Sequence, residues 1–383
     1  MVSEARVKGW CPGAWRPMAS GDGLLVRIRP HRGRLTGEQL VAVCRSAEAH
    51  GSGLVELTNR ANLQLRGISE ESWPALMADL ADQGLIDPDP ATESRRNLML
   101  VPDWQEGDDT DVAARLLTAR LADLPELPGK VGFAMDAGPA PRLTNVSADF
   151  RLERGDDSRL LVRADGRPLG TPVDSVQQAV SLMVDLAHWF VNSGGNEAGR
   201  VRRHHVPLPG WAPESAKPAR ATTPLQLGRH PLGAVFGLPL GRIHAAVLKT
   251  AVERSAARHV RVTPWRRLLL EGAMPQPLDG LISDNMDPRL SVDACPGAPY
   301  CEQASVATQS LAADLSQRIG SRLHVSGCSK GCATGVSAPI CLVGRRGRFD
   351  LILDGRADGL PTATDLDPSD VCDYLESIDA SRL

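Results

Sequence analysis

One segment of this chain occurs twice, and that repeat limits the fold more than any other feature. Residues 21–68 run from GDGLLVRIRP through EQLVAVCRSAEAHGSGLVELTNRANLQLRGI, and residues 231–273 run from PLGAVFGLPL through HAAVLKTAVERSAARHVRVTPWRRLLLEGA. Each copy reads as a strand, a turn, an amphipathic helix, a second strand, and then a Thr shortly followed by Arg (TNR, TPWR) entering a further strand. Leu24-Leu25-Val26-Arg27-Ile28 has the alternation of a strand, while Leu40, Val43, Cys44 and Ala47 recur at helical spacing. Two copies so far apart in the chain predict a duplicated fold with pseudo-two-fold symmetry, its half-domains pairing around a shared crevice.

The rest of the chain carries the chemistry. Cys295 and Cys301 stand as C-x5-C in DACPGAPYCEQA, and Cys328 and Cys332 as C-x3-C in SGCSKGCATG. Two close pairs brought together by the intervening segment supply four thiolates for an iron–sulfur cluster. The flanking Pro296, Gly297, Pro299, Gly327, Gly331 and Gly335 let backbone turn tightly around a bulky group and aim N–H donors at its sulfurs. Zinc is the alternative, but zinc knuckles favour C-x2-C or C-x4-C spacing, so the pattern points to a [4Fe–4S] cluster.

Composition narrows the class. With 383 residues there is room for two or three cores, and 42% hydrophobic and 23% charged residues suit a globular protein. A formal net charge of −3 gives no global footprint for nucleic acid. No apolar run is long enough for a membrane span, and MVSEARVKGW lacks a signal pattern, so the expected location is the cytoplasm, where eight cysteines imply metal ligation rather than disulfides. Lysine is found only at 8, 130, 217, 249 and 330, so nearly every cation is an arginine, suited to gripping carboxylates. Between the copies, helices are expected at 111–124 and 175–191 and strands at 131–136 and 150–163. PLPGWAPESAKPARATTP (207–224) reads as a linker. Beyond the second copy, a helix is expected at 303–319, with strands near 323–325 and 349–353.

With these patterns in place, the chain resembles the sulfite/nitrite reductase superfamily, whose members bind siroheme coupled to a [4Fe–4S] cluster. The duplicated segment looks like the family's ferredoxin-like repeat, and the paired cysteines are similar to its cluster motif. KGWCPGAWRPMASGDGLLVRIRP, LPGKVGFAMDAGP and GCSKGCATG resemble, within that superfamily, the oxygen-dependent precorrin-3B synthase family of aerobic cobalamin biosynthesis. The resemblance implies an α+β fold: duplicated ferredoxin-like half-domains (1–90 and 225–283) pairing with pseudo-two-fold symmetry. Two α/β domains accompany them, one at 91–206 for substrate or cofactor and one at 284–383 carrying the iron–sulfur cluster.

The same resemblance implies roles for single residues. Arg60 in TNRANLQLRG takes the position of an Arg that binds tetrapyrrole and anion, and Arg96 in SRRNLML that of a second active-site Arg. LPGKVGF is similar to the reductases' L-P-x-K-x-K, with Lys130 at the first lysine and Gly132 replacing the second. That loss argues against six-electron reduction of an oxyanion, which needs several cations, and suggests added room for another substrate. Arg27, Arg29 and Arg66 lie on strand-like segments and are candidates to line the pocket. Lys130 and Arg96 are the catalytic candidates, and Asp136 and Asn145 are further candidates for an acid or base.

The implied reaction is conversion of precorrin-3A to precorrin-3B by hydroxylation at C20 and γ-lactone formation. It would use O2 and electrons from an NADH-linked donor. A mononuclear non-heme iron is a further family expectation; His204 and His205 are its tempting ligands, although adjacent strand residues point to opposite faces. Cys11 and Cys341 lie outside the paired motif and read by default as structural thiols, with Cys11 close to the pocket; Cys44 and Cys372 fall in helical patterns. The competing readings are a siroheme-dependent nitrite or sulfite reductase, which would carry bound siroheme, and a non-catalytic iron–sulfur carrier or sensor.

Overall fold

Each repeat copy lends a strand to the other. In the structure, a computed structural model describing residues 10–382, the first sheet runs Met18–Ser20, Gly23–Ile28, Leu63–Ile68, Leu54–Leu57, and closes with Arg242–His244 from the second copy. The second sheet runs Gly228–His230, Gly233–Gly237, Arg267–Glu271, His259–Val262, and closes with Arg34–Thr36 from the first. The crossing is made by matching left-handed turns: Arg32 and Gly33 at φ 54° and 70°, Leu240 and Gly241 at φ 50° and 76°. Neither copy has a complete sheet without its partner.

The Gly37–His50 and Ala245–Ser255 helices pack against each other beneath the two sheets. Thr36 starts the first with a reciprocal capping box to Gln39. Gly37 is needed because a Cβ there would lie 2.5 Å from the Ala257 carbonyl oxygen. Alternation then sorts the faces of the first sheet. Val26, Ile28, Leu63 and Leu65 point into the core, which leaves Arg27, Gln64, Glu56 and Arg66 on the opposite face.

The copies also correct the reading of their last motif. Thr58 N–H donates to the Asn62 carbonyl (2.9 Å) and Thr263 N–H to the Arg267 carbonyl (3.1 Å), around left-handed Ala61 and Arg266. Thr58 therefore matches Thr263, and Arg60 matches Trp265 rather than the next arginine. The repeat is one residue out of step with its Thr-Arg pattern.

The two remaining units share a topology. Leu98–Leu100, Phe133–Met135 and Phe150–Arg154 are parallel, followed by antiparallel Leu160–Ala164 and Thr171–Val173. Val292–Ala294, Leu323–Ser326 and Ala338–Arg345 are likewise parallel, followed by antiparallel Arg348–Gly355 and Ala363–Leu366. The expected single strand at 150–163 is a hairpin, because Ser158 takes a left-handed φ of 67° and turns the chain. The helix expected at 303–319 spans only Gln309–Arg318, since the residues after Cys301 form the loop that holds it. Residues 207–224 are no free linker: bridges Gly155–Pro218 and Gly170–Ala216 strap them across the 150–173 strands. One apolar core runs through both half-domains and the first α/β unit, and a separate one fills the last unit.

Candidate functional site

The four paired cysteines come together where two strands of the last unit end. Cys295 follows Val292–Ala294, and Cys328 follows Leu323–Ser326, so parallel pairing of those strands sets the two loops side by side. Burial, followed by the neighbouring Cys295 and Cys301, pushes the Cys328 thiol up. Cys332 is exposed as a residue, yet the surrounding loop desolvates its sulfur enough to push it up to about 11, with Cys295, Cys328 and Cys301 adding to the effect. Four thiols gathered in this way are a donor set that could hold an iron–sulfur cluster, whose assembly would displace their protons.

The backbone fits as well. Gly327 N–H donates to Cys295 Sγ at 3.1 Å, the kind of contact that stabilises a coordinated thiolate. A Cβ on Gly327 would lie 2.6 Å from Ala304, so only glycine lets the loops close. Among the described residues, no three His, Cys, Asp or Glu side chains gather closely enough for a single metal ion.

A clamp from the first half-domain holds this site. Arg66, 2% exposed, donates to both oxygens of Asp22 (3.1 and 3.0 Å), to Ser20 Oγ (3.2 Å) and to the carbonyl of Tyr300 (2.6 Å), the residue before Cys301. Ser20 Oγ donates to the same carbonyl at 2.6 Å, and a Cβ on Gly21 would collide with the Pro299 carbonyl. Arg242, from the exchanged strand, pairs with Glu56 (2.5 Å) and lies 4.8 Å from the Tyr300 ring centroid. Arg66 was expected to line the substrate pocket. With its donors engaged inside the protein, it positions the cluster loop instead.

The pseudo-two-fold mate has the charges reversed. Arg261 and Glu271 replace Glu56 and Arg66, Arg34 replaces Arg242, and Trp104 takes the place of Tyr300, with Arg261 4.3 Å from its ring centroid. No cysteine follows Trp104, so only one of the two clamped loops carries thiolates.

A second cluster, of cations, lies on the same sheet. Arg27, Arg29 and Arg60 surround the half-buried Cys11, which hydrogen-bonds the Arg27 guanidinium. Burial pushes each guanidinium below its ordinary value, and neighbouring cations add to it: Arg29 and Arg60 for Arg27, Arg96 for Arg29, and Arg200 then Arg29 for Arg60; the Cys11 sulfur acts against that for all of them, as does Glu93 for Arg29. Arg29 is paired with Glu93 (3.3 Å), but the Nε atoms of Arg27 and Arg29 are buried without partners. The Arg60 guanidinium makes no hydrogen bond among the described residues; outside this group it feels Arg200 and Asp149. These are under-neutralised guanidinium groups, the environment that draws carboxylates.

Other expected residues fall differently. Arg96 is buried, pairs with Glu93 (2.7 Å), donates to the Arg29 carbonyl (3.0 Å) and meets the His31 ring nitrogens at 2.7 and 2.9 Å. It supports Arg29 from behind, its guanidinium turned toward Glu93, His31 and the Arg29 carbonyl. Lys130, in the 128–131 turn, is half-buried and unpaired among the described residues; its neighbour Gly129 lies against Trp10, one residue from Cys11. Gly132 opens no added room: a Cβ there would lie 2.6 Å from Asn97 Nδ2 and 2.9 Å from the Asn97 carbonyl.

His204 is buried between Trp189 and Phe190, with Nε2 at 2.8 Å from Ser193 Oγ, while His205 is exposed; they do not form a metal pair. Asn145 is exposed, whereas Asp136 is buried and pushed up to about 6, chiefly by burial. Cys44 and Cys341 are core thiols and Cys372 is half-buried. Sequence reasoning passed over Arg200, Asp149 and Gln64. Only the RVRRHH run hinted at the first, and nothing marked the other two.

The comparisons agree with this geometry. Residues 16–83 match the Nitrite/Sulfite reductase ferredoxin-like half domain. The chain is 30% identical to a precorrin-3B synthase from Sinorhizobium sp, over 93% of this chain and 85% of that protein. It is 24% identical to a ferredoxin–nitrite reductase of Synechococcus elongatus, over 91% of this chain and 81% of the relative. Among solved structures, Mycobacterium tuberculosis NirA has the same fold, with a TM-score of 0.59 at 15% identity, covering 92% of this chain and 79% of that one.

Proposed function

The chain belongs to the precorrin-3B synthase family, a branch of the nitrite/sulfite reductase superfamily, and from that premise we propose that it oxygenates precorrin-3A to precorrin-3B. The overall balance is substrate, O2, two electrons and two protons going to hydroxylated, lactonised product and water. One oxygen atom enters at C20, and the electrons come from an NADH-linked donor. The observation that carries this reading is the pairing of an under-neutralised arginine crevice with a closed Gly132 position. Carboxylates are wanted there, but the second cation of an oxyanion reductase has no space.

Each residue then has a physical task. Arg27 and Arg60 bind peripheral carboxylates of the tetrapyrrole through fork-shaped donors, and Lys130 supplies a further cation at the edge of the Cys11 segment. Arg29, held by Glu93 and Arg96, adds positive potential without needing to move. Fixing several carboxylates at once orients the ring system and holds the acetate that closes the lactone near its carbon. Cys295, Cys301, Cys328 and Cys332 would hold a [4Fe–4S] cluster, which supplies single electrons that side chains cannot.

The test is turnover of precorrin-3A by anaerobically purified, cluster-loaded protein given O2 and reductant, with acid–acetone extraction of any tetrapyrrole beforehand. The expected result is a product heavier by one oxygen atom and no stoichiometric siroheme. Stoichiometric siroheme with nitrite or sulfite reduction would replace this reading with that of a reductase.

A further inference from the structure

The arginine crevice and the cysteine loop are joined by one unbroken run of hydrogen bonds. Arg27 Nη2 donates to Gln64 Oε1 at 3.1 Å. Gln64 Nε2 donates to Glu56 Oε2 at 2.7 Å. Arg66 Nη1 donates to that same oxygen at 3.5 Å, and Arg66 Nη2 donates to the Tyr300 carbonyl at 2.6 Å, one peptide from Cys301. Gln64, Glu56 and Arg66 are all buried, so water does not screen the run and each bond polarises the next. Gln64 is fixed in direction, since its oxygen must face a guanidinium and its amide hydrogens a carboxylate.

The other half-domain serves as an internal control. Its clamp has the same ionic parts, but the positions of Arg27 and Gln64 are taken by Val235 and Leu269, which pair in register and sit in an apolar cluster. A clamp therefore needs no glutamine to form. The polar link is found only on the side where a cation crevice and cysteine ligands must both be served.

We propose that Gln64 is a positioning residue that couples carboxylate binding at Arg27 to the reduction potential of the cluster held by Cys301. The inference rests on reading the crevice as the tetrapyrrole site. A carboxylate bound to Arg27 draws on its donors and weakens its hold on the Gln64 oxygen. Gln64 then donates less strongly to Glu56, Glu56 attracts Arg66 more, and the positive field at the Tyr300 carbonyl falls. A cluster less stabilised in its reduced form becomes a stronger reductant, and it does so only when substrate is present. Electrons are thereby withheld from oxygen in the empty enzyme.

The experiment uses the cluster-loaded full chain and uroporphyrin III, an octacarboxylate tetrapyrrole, as probe. Binding is followed by quenching of probe fluorescence, and the cluster's midpoint potential by anaerobic redox titration monitored by EPR, with and without probe. In the wild type the probe is expected to lower the potential by a tenfold change in the reduction equilibrium, about 59 mV for one electron. Gln64→Leu should bind the probe and keep its cluster but lose most of that shift; Gln64→Met serves the same purpose should the leucine variant fail to fold. A full shift in the variants, or a bound probe with no shift in the wild type, overturns the coupling while leaving the crevice reading intact. A wild type that does not bind the probe removes the crevice reading itself.

Discussion

At the residue scale, Gly132 and Asp136 show how space and charge decide what one position can do. The sequence marks Gly132 as a lost lysine, and only packing reveals that Asn97 has sealed the place. Gly132→Ala is expected to cost roughly 1–3 kcal/mol through overpacking against the Asn97 carbonyl, measured by urea denaturation. Gly132→Lys should fold worse still and gain no nitrite or sulfite reduction. Asp136 is the opposite case, a carboxyl with no oppositely charged partner among the described residues. Burial raises it from 3.8 to about 6 against two backbone N–H bonds from Leu143 and Arg142, and Asp103 and Glu153 add to the rise. The folded state thus holds the proton more tightly than the unfolded chain, so stability falls as pH rises from 3.8 to about 6 and levels off above. Asp136→Asn keeps an acceptor for both N–H groups and should remove that slope. Denaturation at pH 8 should show it more stable than wild type by up to about 3 kcal/mol, with little difference at pH 4.

Among elements, what could be read in advance was what depends on local pattern. The pairing of the four cysteines, the repeat and the strand alternation that places Arg27 opposite Val26 are all short-range signals. The roles of Arg66 and Arg96 were not legible, because each is set by partners distant in the chain: Tyr300 for one, His31 and the Arg29 carbonyl for the other. Arg27 and Arg66 take the same outward face of two neighbouring strands, and alternation alone does not tell their partners apart. The clamp makes this difference testable. Arg66→Met would leave Asp22 and one oxygen of Glu56 buried without a countercharge, a loss of roughly 3–5 kcal/mol by analogy with broken buried pairs. It would also leave the Tyr300 carbonyl to Ser20 alone. The expected phenotype is protein that loses iron and sulfide on gel filtration while keeping its far-ultraviolet circular dichroism. Retention of a full cluster would show that the loop needs no clamp.

At the scale of the whole molecule, the exchanged strands and the two separate cores predict how the protein comes apart. The half-domains share one continuous apolar core with the first α/β unit, and each needs an edge strand from the other, so none of the three can unfold alone. The last unit has its own core around Leu315, Leu323, Val325, Leu342 and Leu351. It is tied to the rest by polar contacts of Arg66, Ser20 and Arg242 on Tyr300 and of Arg266 on Asp293 (3.2 Å) and on the Val292 carbonyl (2.6 Å), and by two leucines: Leu240 packs against its core, and Leu290 packs against Leu225, Leu227, Val235, Leu269 and Ile282. A seam of polar contacts and two leucines transmits cooperativity less well than a core shared across many residues. Calorimetry of the cluster-loaded protein should therefore give two transitions, with bleaching of the cluster's visible absorbance confined to one of them. Arg266→Met, which cuts the seam away from the cysteines, should move that transition to lower temperature and leave the other in place. A single transition in which bleaching and loss of all secondary structure coincide would mean that the seam carries more cohesion than its contacts account for.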